Sequence, residues 1–375
     1  MKKRYYLTFI ILAGLLALIW LSLTFWNRHS ESDVIKIGAD YALTGNLASY
    51  GEWANHGINM AVEQINAAGG INGRRVEVVF EDSQGDPAVA VAAYRKLIDY
   101  DKVKYVITFQ SSVALAVAPL ANADRVVQMD VSATTPDYSS PDDYTFRTGI
   151  VANQLASEAA LYLTRKKIER VGVLYINNDF GVGMSEVFTR TYPGEIVSQE
   201  GFAQDSTDFR TLLTKMKRAI PEAIFLVSHL KEAGLLVKQA RDLGLLTPIV
   251  SDVYAIEGED FLKGAGAAAE GVIYLAPTFA SGRDRRVADA FIQAYHSQYN
   301  EQASYFAAQA YDGLLALAEV LHQCDYHDTQ CARDRLFEID VEGASGQIKF
   351  DRNGDVIKPV EIRTVKDATF ISLIE

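Results

Sequence analysis

The sequence predicts an α/β protein of two doubly wound parallel-sheet lobes with a binding cleft between them. Three observations carry that expectation. Short apolar runs alternate with amphipathic stretches, which implies crossover connections and parallel strand pairing. The alternation restarts after Ile150, so the chain holds two similar series. Two of the apolar runs end in small hydroxyl residues, "QSSVALAVAP" from Gln110 and "VSATTP" at 131–136, where a strand should hand over to a helix or turn. With 375 residues and 49% hydrophobic content the chain can bury a large core, and its length suits two domains.

The elements follow in chain order. After "MKKR", residues 5–26 carry no charge before Asn27, Arg28 and the polar "HSESD". A cleaved signal has a shorter apolar region and an A-x-A-like site. This one runs long and ends in Phe25 and Trp26, so it reads as an uncleaved transmembrane anchor spanning 1–30, basic end cytoplasmic and the rest exported, with a cleaved leader as the alternative. "VIKIGADYA" from Val34 is the first strand. "YGEWANHGINMAVEQINAAGG" places Trp53, Met60, Ala61 and Ile65 at near-helical spacing and stops at Gly69 and Gly70. "RVEVVFEDS" is the next strand, Asp86-Pro87 opens the next helix, and "VKYVITF" and "RVVQM" follow. In the second series "VGVLYIN", "AIFLVSH" and "GVIYLAP" are strands, separated by helices such as "TDFRTLLTKMKRAI" and "KEAGLLVKQARDLG".

Ser and Thr at such junctions are ordinarily plain N-caps. Here one α/β repeat separates Ser112 from Thr135, so both junctions open on the same edge of a parallel sheet, where ligands of doubly wound proteins bind. Free helix starts offer N–H groups and a partial positive charge, enough to hold a carboxylate without Lys or Arg. A formal charge of −12 and the absence of basic clusters argue against nucleic acid. Cys324 and Cys331, the only cysteines, suit a disulfide in an exported chain. His322 and His327 lie beside them, but the spacing is not that of a metal site. "GAGAAAEG" precedes a strand where a dinucleotide fingerprint must follow one, and "DRNGD" reads as a tight turn between "GQIKF" and "VIKPVEIR". No catalytic motif and no cofactor is indicated.

With these pieces in order, residues 34–375 resemble the periplasmic leucine/isoleucine/valine-binding proteins, the type I solute-binding proteins of ABC importers. The resemblance rests on "IKIGADYALTGNLASYG", "AVEQINAAGGINGRRVEVVFEDSQGDP", "KYVITFQSS", "SATTP", "YINNDFGVGMSE" and "GLLVKQARDLGL". It implies two lobes, 34–150 with 279–344 and 151–278 with 345–375, joined by three crossings near 148–152, 277–281 and 343–346. It also implies a monomeric, non-enzymatic receptor in the periplasm that delivers a branched-chain or other α-amino acid to ABC permease subunits by closing its cleft. Ser112 and Thr135 would hold the ligand carboxylate, the Ala133 carbonyl would accept from its ammonium, and Tyr50 and Phe180 would flank it. The family's acidic partner falls near Val253, one position beyond Asp252, and His229 falls near a pocket aromatic. Gly85 and Ser111 stand where the family has a cysteine pair, and Asp130 stands where an apolar strand residue is expected. A sensing ectodomain acting through a partner, or an exported hydrolase, are the other readings the residues leave open.

Overall fold

The computed structural model describes residues 34–279 and 285–373. The apolar leader and Ser281 of the second expected crossing lie outside the described residues. Among those described, no helix is long and apolar enough to cross a membrane.

The first series builds a five-stranded sheet in the order β2-β1-β3-β4-β5, parallel throughout. Its strands are β1 (Val34–Tyr41), β2 (Arg75–Asp82), β3 (Tyr105–Thr108), β4 (Val127–Asp130) and β5 (Thr145–Arg147). The helices between them are α1 (Ala48–Ala67), α2 (Pro87–Asp99) and α3 (Ser111–Asp124). Local chemistry sets the boundaries. Gly69 and Gly70, at φ 102° and 73°, end α1, and the Gly70 N–H reaches back to the Ile65 carbonyl. Asp86 caps α2 by accepting from the N–H groups of Ala88 and Val89 at 2.8 and 3.0 Å, with Pro87 in the first turn.

The second series runs α4 (Ala152–Arg165), β6 (Arg170–Ile176), α5 (Asp179–Thr191), β7 (Glu195–Phe202), α6 (Arg210–Ala219) and β8 (Ala223–Val227). It continues through α7 (Leu230–Asp242), β9 (Ile249–Asp252), the single turn α8 (Val253–Ile256), α9 (Glu259–Ala265) and β10 (Ile273–Pro277). The chain then returns to the first sheet. Helices α10 (Arg285–Tyr299), α11 (Tyr305–Leu321) and α12 (Thr329–Leu336) belong to this side, and α11 lies so close to α1 that a Cβ on Gly57 would sit 2.0 Å from the Ala307 carbonyl oxygen. Cys324 and Cys331 are joined, with Cα atoms 5.8 Å apart, tying the end of α11 to α12.

The last stretch departs from expectation twice. The strands β11 (Val341–Gly343) and β12 (Gly346–Ile348) form their own hairpin, and "GQIKF" meets the segment that follows "DRNGD" only at the bridge from Phe350 to Val356. The turn itself is present: Gly354, at φ 86°, donates its N–H to the Asp351 carbonyl, closing a loop whose bases Phe350 and Val356 bridge. Phe350, Gly354 and Asp355, expected in the second lobe, lie instead against β5. The buried Arg147 requires Asp355 as its counter-ion, at 2.5 Å, and Phe350 packs its ring on Phe146. Only then does the chain reach β13 (Val360–Lys366) and β14 (Thr369–Ser372), which add an antiparallel edge to the second sheet. That sheet has the order β14-β13-β10-β9-β8-β6-β7.

Candidate functional site

The carboxyl ends of the two sheets face each other across one cavity, with some 380 Å³ of space between its walls, part of it open to solvent. Its walls are residues just past strand ends: Ala42 after β1, Phe109, Gln110 and Ser111 after β3, Ser132 after β4, Phe180 at the start of α5, His229 after β8 and Tyr254 after β9. Leu47, Tyr50 and Gly51 complete them. Helix starts therefore point at this space from both sides, as parallel sheets with crossover helices dictate.

The first-sheet wall is a rigid polar frame. Asp130, in register with Thr108 on one side and Arg147 on the other, accepts the Thr108 hydroxyl on Oδ2 at 2.8 Å. Its Oδ1 accepts the N–H groups of Ser132, at 2.7 Å, and Ala133. This accounts for the acid in an apolar strand: it shapes the "SATTP" turn. Burial nevertheless pushes its carboxyl up to about 6, against the pull of those backbone N–H groups. Arg147, fully buried, donates to the carbonyls of Ala133 and Thr135 at 3.1 and 2.7 Å and to Ser139 at 2.8 Å. Ser111 Oγ accepts from the N–H groups of Thr134 and Thr135, so the start of α3 and the "SATTP" turn form one unit.

The second-sheet wall is aromatic and neutral. Phe180 stacks on His229 with centroids 5.3 Å apart and lies 5.3 Å from the Tyr254 ring. His229 Nε2 sits 3.3 Å from Asn178 Nδ2, and burial lowers the imidazole to about 4, so it is uncharged at neutral pH. Asp252 caps α8 by accepting the Tyr254 N–H on Oδ1 at 2.8 Å. Its Oδ2 has no hydrogen-bond partner, and burial raises the carboxyl to about 8. Two tyrosines bridge the walls in opposite senses. Tyr50 of α1 donates its hydroxyl to the Tyr254 carbonyl and accepts from the Leu230 N–H at 3.1 Å, while Tyr254 donates its hydroxyl to the Ser132 carbonyl at 3.0 Å.

Some of the expected residues reach this cavity and others lie outside its lining. Tyr50, Phe180 and His229 line the cavity. Ser112 is buried in the first turn of α3, one residue behind the lining Ser111. Thr135 is buried behind the wall and faces α5, where a Cβ on Gly183 would come 3.4 Å from its Oγ1. The Ala133 carbonyl, expected to receive an ammonium, is engaged by Arg147. Asp252 is buried and does not line the cavity. Sequence reasoning missed Tyr254, Gln110 and the ring cluster where Trp53 stacks on Phe306 at 5.6 Å and Tyr50 meets both. The signal open to reading was position, since Gln110 and Tyr254 each lie two residues past a strand end. Among the described residues no cluster of His, Cys, Asp and Glu could hold a metal ion.

Comparison with known proteins agrees with this geometry. The model of the periplasmic binding protein family matches residues 34–369. The leucine-, isoleucine-, valine-, threonine-, and alanine-binding protein of Pseudomonas aeruginosa is 28% identical over 88% of this chain and 90% of its own. The Leu/Ile/Val-binding protein of Escherichia coli is 26% identical over 92% and 93%. The branched-chain amino acid transporter substrate-binding protein LivJ of Streptococcus pneumoniae, solved with isoleucine, superposes with a TM-score of 0.83 at 31% identity, covering 91% of this chain and 100% of that one. The chain belongs to the periplasmic binding protein family, type I, whose members are solute-binding proteins of the extracytoplasmic space and not enzymes.

Proposed function

From that membership we propose that this receptor binds an α-amino acid between its two sheets and hands it to an ABC permease. The observation that carries the reading is the meeting of helix starts from both sheets at one small cavity, with no lining Lys or Arg to bind a carboxylate by charge. The first turn of α3, with Ser112, and the turn holding Thr135 supply the donors. Asp252, whose Oδ2 is unpartnered, is the acid that a bound ammonium would ionise. The polar frame around Arg147 moves as one body with 34–150, 279–344 and the residues up to Asp355, and the remainder moves as the other, so a solute touching both walls favours closure. The uncharged run 5–26 supports export and tethering, which sequencing of the mature N-terminus checks.

Calorimetry against the amino acids tests the site. Losing one hydrogen bond to a charged group costs about 1.5–3 kcal/mol, so Ser112→Ala or Thr135→Val should weaken binding roughly 10-fold to 150-fold. Both variants binding as tightly as the parent would rule out this carboxylate clamp.

A further inference from the structure

The cavity's lining side chains are hydrogen-bonded within the protein with one exception. Tyr50 and Tyr254 spend their hydroxyls on each other's walls, Ser111 Oγ accepts from Thr134 and Thr135, Ser132 Oγ accepts the Gln110 N–H at 3.1 Å, and His229 meets Asn178. Gln110 Nε2 has no partner, although Gln110 is only 7% exposed. A buried donor without an acceptor is costly, and native structures keep one where something else fills the need.

The Gln110 backbone is fixed, and its carboxamide oxygen packs against Gly85. Gln110 adopts φ 92° and ψ 140°, a conformation that glycine tolerates and side chains avoid, so the strain persists only because the surroundings fix it. Opposite it, Gly85 supplies the room: a Cβ there would lie 2.6 Å from Gln110 Oε1 and 2.7 Å from Leu47. The donor is neutral, as are the other side chains lining the cavity, since His229 is uncharged at neutral pH.

We propose that Gln110 sets specificity, by donating from Nε2 to an uncharged acceptor on the side group of the solute, and that the receptor therefore prefers polar neutral amino acids over aliphatic ones of the same shape. This deepens the amino-acid reading and rests on it. Sites built to hydrogen-bond a substrate reject the analogue that leaves their donor unpaired.

Isosteric pairs make the test. Binding of L-asparagine against L-leucine, and of L-threonine against L-valine, is measured by calorimetry on the full-length protein in detergent, for the parent, Gln110→Leu and Gln110→Gly. An unpaired buried donor corresponds to roughly a 5-fold to 150-fold loss, so the polar member of at least one pair should bind tighter by that factor. Gln110→Leu should abolish or invert the preference. Gln110→Gly removes the donor while relieving the backbone, so it reports the same loss should the leucine variant not fold. Equal or aliphatic-favouring affinities in the parent, or a polar preference unchanged in the folded variants, overturn the role of Gln110 and leave the amino-acid reading standing. Binding of none of the four overturns that reading, and the inference falls with it.

Discussion

The two walls of the cleft solve the same problem, a buried strand end facing a ligand, with opposite chemistry. On the first-sheet side Asp130 and Arg147 are saturated: each oxygen of the acid accepts, and the guanidinium donates to Asp355, two carbonyls and a hydroxyl. On the second-sheet side Asp252 is half used and His229 has been discharged by burial. The difference teaches that the ion-pair frame of the first wall is complete before a ligand arrives and leaves the Gln110 amide free there, whereas the second wall keeps an acid in reserve at a cost in stability. Satisfied buried networks rigidify, and unsatisfied ones mark function.

The largest break in this contrast should come from Arg147→Met. Removing one partner of a buried ion pair leaves the other uncompensated and typically costs about 3–5 kcal/mol, so the denaturation midpoint should fall steeply. A loss under about 1 kcal/mol would show that the first wall is not the stiff one.

Asp252→Asn should do the reverse. The folded carboxyl, raised to about 8, keeps a proton that the unfolded one gives up above its ordinary 3.8, so the folded state loses ground as pH rises across that window. An amide keeps the cap without ionising. Thermal melts should show the variant level with the parent near pH 4 and clearly more stable at pH 8, while amino-acid affinity drops. Parallel melting curves at both pH values would remove the idea of a reserve at this acid.

His229→Gln gives the smaller, opposite slope. Below its ordinary 6.5 the unfolded imidazole takes a proton that the buried one refuses until about 4, so the parent loses stability as pH falls between those values. The glutamine variant should recover about 1–2 kcal/mol at pH 4.5. An identical acid limb in both proteins would mean that His229 is not held neutral.

Much of this molecule could be read from the sequence. The strands and the Ser/Thr junctions carry their signal locally, through period and punctuation, and the second lobe repeats the first. What escaped depends on contacts distant along the chain. Asp130 makes sense only when parallel register brings Thr108 beside it and the turn folds Ser132 and Ala133 back onto it. Gln110 needs a positive φ and a glycine from another loop. The path of 345–355 is set by Arg147, whose need for Asp355 no local pattern reveals.

The Tyr50 hydroxyl has one more effect. It accepts from the Leu230 N–H, the first residue of α7, yet Tyr50 belongs to the opposite wall and His229 at the cap position makes no side-chain cap of its own. The helix thus borrows its cap from the other half of the protein. Under the proposed closure, parting of the halves would hand that amide from a protein acceptor to water, and their meeting would shield it again. A single backbone proton, far shorter-ranged than any change in overall shape, would then record how long the receptor stays shut.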